Sequence, residues 1–150
     1  MGSALRQHRF RRRLSIWLGL NLLMICPLID AKPQPDISVI ANATSHLSAL
    51  THHEVRQIYM GGTLSRKYQA VALKAGSPAR ILFNTKIIGL TEGRIQSYWA
   101  QLLFTGRSHP PLEYTSVQDL LDYVATTDNA IGYVPAGLTL PDNVVVVYQR

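Results

Sequence analysis

The chain has 150 residues, enough for one domain and too few for two of ordinary size. Its formal charge is +6, but five arginines against Asp30 put +4 of it in residues 1–31, leaving ten basic and eight acidic residues, +2, in the rest. That basicity reads as targeting. With no basic run or stacked aromatic series after residue 31, nucleic-acid binding is excluded; the lone Cys26 leaves that region no disulfide, thiolate metal site or cysteine nucleophile.

The amino terminus is read first. "MGSALRQHRFRRR" carries arginines and no acid, "LSIWLGLNLLMICPLI" is apolar, and small Ala31 precedes "KPQPD". A basic stretch, an apolar stretch and a small residue make a signal peptide over 1–31, cleaved near Ala31, with a domain over 32–150. The alternative is an uncleaved membrane anchor, against which Asn21 and Pro27 shorten the apolar run. The arginines loosely resemble a twin-arginine signal. "LMIC" resembles a lipoprotein box but has Ile25 where a small residue belongs.

"KPQP" reads as an extended spacer and "DISVIAN" as a short strand carrying Ile37, Val39 and Ile40. Asn42-Ala43-Thr44 matches a glycosylation sequon, and "ATSHLSA" reads as a loop with Leu47 turned inward. "LTHHEVRQIYMGG" is a helix: Thr51 and Glu54 form a capping box, Leu50 and Val55 a hydrophobic staple, and Gly61-Gly62 a stop. Val55, Ile58 and Tyr59 share one face. His52 and His53 are then first-turn residues rather than metal ligands, since no second histidine completes HExxH.

"YQAVALKA" reads as a second strand, followed by a helix through about Ile88, closed by Gly89. Thr91 caps "EGRIQSYWAQLLF", whose Ile95, Tyr98, Trp99, Leu102 and Leu103 make one apolar stripe. "TGRSHPP" breaks the chain. Ser116 and Asp119 form another capping box before "VQDLLDYVA", with Val117, Leu120, Leu121 and Val124 inward and Asp119 and Asp122 on a solvated face. "AIGYV" and "NVVVVY" read as strands, the latter so apolar that an interior place is expected. No internal repeat is present. Strands alternating with helices argue for a small α/β domain.

One loop has the makings of a site. In "KAGSPAR", Gly76 permits a tight turn, Ser77 is a good N-cap and Pro78 fits the first helical position, where no N–H is needed. The first turn then presents free N–H groups and a partial positive charge, which suit an anion. Lys74, Arg80 and the Ser77 hydroxyl stand ready to supplement them, although any capped helix has some of this and Pro78 removes one donor.

In order, "LTHHEVRQIYMGGTL", "VALKAGSPARILFNTKIIG", "IQSYWAQLLFTGRSHPP" and "AIGYVPAG" resemble the phosphate-binding proteins of ABC importers, a type-2 periplasmic binding family. The resemblance covers roughly residues 36–148 and is especially close to a subgroup of short secreted members. It implies a small, three-layer-like α/β domain corresponding to one lobe of such a protein. It also implies that phosphate or a similar oxyanion is bound at this loop, with contacts from Ser77 and nearby amides such as that of Gly76 carrying over directly and Lys74 or Arg80 standing in for the charge of the family's loop arginine. Two departures matter. Full-length members clamp phosphate between two lobes, whereas this chain is about half that size. Their loop reads Gly-Ser-Gly-Thr with an arginine four residues before the serine; here Pro78, Ala79 and Leu73 stand instead.

The expected function is thus that of a secreted solute-binding-like protein, periplasmic, serving an ABC permease, with no cofactor and no metal. One lobe leaves an oxyanion largely wet, so its affinity should be millimolar unless a homodimer or partner closes the site. The alternative is an extracytoplasmic interaction or sensory module, in which "FTGRSHPPLEY" meets a sensor protein instead of being a mere connection. An enzyme is not expected: Ser45, Ser77 and Ser108 lack an elbow motif, and His46, His52, His53 and His109 lack an evident carboxylate partner.

Overall fold

A computed structural model describes residues 37–150. The signal peptide, membrane anchor and lipoprotein box, all in 1–31, and the spacer that follows lie outside the described residues.

β1 (Ile37–Asn42) is buried at every position, which explains its run of branched apolar side chains. A 3-10 turn, Ala43–Ser45, leads to α1 (His52–Tyr59). The Thr51–Glu54 box is formed in both directions, and Leu50 and Val55 are buried. The Thr51 backbone N–H and, after it, the Thr51 hydroxyl both donate to the Glu54 carboxyl and hold it below its usual range. Gly61 stops the helix at φ +71, and the Gly62 N–H returns to the Gln57 carbonyl at 2.8 Å. His52 and His53 take the first two helical positions, as expected; His52 Nε2 lies 2.8 Å from the Ile87 carbonyl oxygen.

After β2 (Gln69–Leu73), α2 (Pro78–Phe83) runs into a π-helical turn, Asn84–Ile88, and stops at Gly89, φ +72. The sequence predicts one unbroken helix here. The wide turn instead buries the polar Asn84 together with Ile87 and Ile88. α3 (Glu92–Phe104) starts after Thr91, but the Thr91 hydroxyl makes no capping bond. Ile95 and Trp99 are buried and Tyr98 and Leu102 half-buried, whereas Leu103, placed in the apolar stripe, is 45% exposed and Phe104 is 94% exposed. The short β3 (Leu112–Tyr114) has no counterpart in the sequence reading, which took this stretch as loop.

α4 (Val117–Thr126) buries Leu120, Leu121 and Val124. Ser116 accepts from the Asp119 N–H at 3.0 Å, but the Asp119 carboxylate returns to the Ser116 hydroxyl rather than to its backbone. β4 (Ala130–Pro135) and β5 (Val144–Gln149) complete the sheet.

The order is β3-β2-β4-β1-β5, with β2 parallel to β3 and β4, and β1 antiparallel to β4 and β5. β5 is therefore an edge strand, a correction to the expected interior place. Its partner slips by one residue between Val39 and Ile40, so Val147 bulges and inward-facing positions recur every third residue, at Val144 and Val147. The valines read as a buried strand because the bulge erases the period of two.

Helices cover both faces, giving the expected three layers. On one face α4 crosses the middle strands so closely that a Cβ on Gly132 would lie 2.6 Å from Leu120 Cδ2 and 3.3 Å from Val71 Cγ2. One residue on, Tyr133 turns to the other face, where its ring stacks on Phe83 of α2 with centroids 4.0 Å apart and Tyr59 of α1 lies at 5.9 Å. Among the described residues no helix is long and apolar enough to cross a membrane.

Candidate functional site

The loop after β2 sits at the carboxyl ends of parallel strands, where open α/β sheets place their ligands. Lys74 N–H donates to the Tyr114 carbonyl at 2.8 Å, tying the loop to β3. Ser77 N–H closes a β-turn on the Lys74 carbonyl at 3.2 Å. Gly76, third in that turn, has φ +87, which a type II turn requires and a side chain resists. A Cβ there would meet nothing within 4 Å, so the turn faces open space. Ser77 is the N-cap; its Oγ accepts from the Arg80 N–H at 3.3 Å.

Three of the four expected site residues thus come together. Lys74 and Gly76 are exposed, Ser77 half-exposed, and Lys74 forms no ion pair among the described residues. The N–H groups of Ala75, Gly76 and Ala79 take no partner among the described residues. Along with the Ser77 hydroxyl proton, they are donors available to an anion.

Arg80 departs from expectation. It is 8% exposed, and its side chain leaves the loop for two carboxylates. Nε and Nη2 grip Glu92 at 2.9 and 2.6 Å, while Nη1 donates to the Leu73 carbonyl at 2.7 Å and to Glu113. Burial pulls the guanidinium pKa down, but the bonds to Glu92 and Glu113 outweigh it and hold the group above its ordinary value. Asn84, held inward by the π turn, adds a bond from Nδ2 to Glu92 at 2.7 Å.

Two tyrosines finish this end of the sheet. The β2–β4 ladder runs only through Gln69–Ala130 and Ala70–Ile131. Beyond it the Tyr59 hydroxyl lies 3.1 Å from the carbonyl oxygens of both Val71 and Ile131, and the Tyr133 hydroxyl accepts from the Leu73 N–H at 3.0 Å. Burial pushes Tyr59 well above its ordinary pKa and Tyr133 up to about 12. A cavity of about 40 Å³, enough for a few waters, lies against Arg80, Asn84, Glu113, Tyr133 and Trp99.

Sequence reasoning missed Glu92, Glu113, Asn84 and Tyr133. Glu92 and Glu113 stand 12 and 33 positions from Arg80, and no local pattern announces pairs at such separations.

No protein-family model matches the sequence, and no curated protein matches it. Solved structures do match in fold. An ABC-type phosphate transport receptor from Vibrio cholerae superposes with a TM-score of 0.57 at 18% identity, covering 75% of this chain and 45% of the receptor. A phosphate ABC transporter substrate-binding protein from Clostridium perfringens, solved with bound phosphate, gives 0.58 at 19%, covering 75% and 44%. The chain therefore spans under half the length of the structures it matches. At these identities the likeness is one of fold. The expected α/β architecture is the observed one, and it corresponds to a partial lobe of these proteins.

Proposed function

We propose that this chain is an extracytoplasmic solute-binding-like protein that holds phosphate or a similar small oxyanion at the Lys74–Ser77 loop for an ABC importer. The observation that carries the reading is the position of that turn. In a fold matching part of two phosphate-transport proteins, it lies at the carboxyl ends of β2 and β3, with the N–H groups of Ala75, Gly76 and Ala79 unspent. Lys74 supplies the charge, Ser77 a hydroxyl, and Gly76 the open turn that lets an anion approach the backbone.

The exposed loop leaves a bound oxyanion partly hydrated, and each exposed charge contact contributes about 0–1 kcal/mol. The expected dissociation constant is therefore millimolar, equivalent to about 4 kcal/mol. A second copy or a permease closing over the turn would tighten it.

Calorimetric titration of the full chain with inorganic phosphate, paired with thermal melts at millimolar phosphate, tests the reading. Heat of binding and a raised Tm, both lost in Ser77→Ala, are expected. No heat and no shift in Tm would overturn it.

A further inference from the structure

Arg80 joins places that the chain otherwise holds apart. It lies in the first turn of α2, grips the first turn of α3 through Glu92 and the edge strand β3 through Glu113, and bonds the carbonyl of Leu73, the last residue of β2. Leu73 immediately precedes the Lys74–Ser77 turn, and the Arg80 N–H donates to Ser77 Oγ at the other end. One residue therefore fixes both ends of the loop.

We propose that Arg80 is a positioning residue for this loop, not an anion ligand, and that Glu92 and Glu113 hold it in that role. A guanidinium has five N–H donors, and four of Arg80's are spent on Glu92, Leu73 and Glu113. To bring more than its one remaining N–H to an anion in the turn it would have to release a carboxylate in a site where Arg80 itself is 8% exposed, leaving a partly buried charge unpaired. The arrangement also needs a fork. A lysine ammonium delivers the same charge, but its compact head cannot grip Glu92 with two parallel bonds while reaching both the Leu73 carbonyl and Glu113. Lys74 then provides the loop's side-chain charge alone.

The inference rests on the proposed oxyanion site for its ligand readout, but not for its structural one. In the full chain, Arg80→Lys, Glu113→Gln and Lys74→Gln are compared by phosphate affinity, by the salt dependence of that affinity, and by amide cross-peaks of residues 74–77 recorded without ligand. Arg80→Lys is expected to weaken phosphate binding about tenfold despite its retained charge and to move the loop cross-peaks. Glu113→Gln is expected to weaken binding in the same direction, and only Lys74→Gln to flatten the salt dependence. A direct anion ligand behaves oppositely: lysine restores much of its effect, and removing its competitor Glu113 tightens binding. Either result would overturn the proposal. If the wild type binds no phosphate, the functional reading fails alone; loop amides unmoved in Glu113→Gln would then reject the positioning role. Glu113, on an exposed strand, is replaceable even if Arg80→Lys does not fold.

Discussion

Replacing Tyr133 by phenylalanine removes one oxygen from a fully buried ring and leaves its stack on Phe83 in place. The Leu73 N–H loses the one acceptor it has among the described residues, and because the β2–β4 ladder ends at Ala70–Ile131, no β4 carbonyl replaces it. An unpaired buried N–H costs about 1–3 kcal/mol, a fall in Tm of about 4–12 °C for a domain of this size. The variant also removes a titration. Burial raises the Tyr133 pKa to about 12 in the folded chain, against about 10 when unfolded. Below pH 10 both states keep the proton, so this group contributes no pH dependence. Between pH 10 and 12 the unfolded chain releases a proton that the folded chain retains, so stability falls by up to about 1.4 kcal/mol per pH unit, levelling above 12. Tyr59, also raised by burial, adds to the alkaline loss in both proteins. Circular-dichroism melts at pH 7 and across pH 9.5–11.5 should show Tyr133→Phe less stable at neutrality but with a shallower alkaline decline. Equal melting at pH 7 together with a parallel decline would refute the reasoning.

Gly132→Ala places a methyl 2.6 Å from Leu120 Cδ2 and 3.0 Å from Val124 Cγ2, so that Leu120 must change rotamer or α4 must shift; overpacking of this kind costs about 1–3 kcal/mol, read as a lower denaturant midpoint, and an unchanged midpoint would show that the Leu120 side chain gives way freely. Asn42→Ala removes an amide that donates to the Val124 and Ala125 carbonyls at 3.0 Å each, closing the carboxyl end of α4; a loss of about 1–3 kcal/mol in chemical denaturation is expected, and a loss near zero would mean that water replaces the cap. Phe104→Ser alters a side chain 94% exposed and should leave stability within about 0.5 kcal/mol, so a larger drop in thermal melts would reveal packing that the exposure conceals.

The parts of the fold legible in the sequence are those written in local chemistry. Thr51 and Glu54 lie three residues apart and form their capping box as read, and Gly61 and Gly89 end helices in the left-handed region that favours glycine. Where register or long-range charge decides, local reading fails. β5 lies on an edge because it pairs with β1 alone, and the slip against β1 erases the period of two that would have shown this in its valines; the three-residue β3 is too short and exposed to show a period. The site divides in the same way. The turn at Gly76 and the cap at Ser77 follow from residue type, and the structure forms both. Arg80 reads as a cation for a ligand because nothing adjacent in the chain reveals Glu92 and Glu113. The Asn42 sequon shows the same limit: its asparagine is 4% exposed, with its amide committed to α4.

The bulge at Val147 bears on how this protein behaves when concentrated. A valine-rich border strand invites another chain to add itself, rung by rung, as growing fibrils do. Here Leu50 N–H already claims the Val147 carbonyl at 2.8 Å, and the slipped register puts an irregular step midway along the strand. An incoming strand would find a rung taken and its spacing broken, so the segment leading into α1 serves as a built-in guard against self-association.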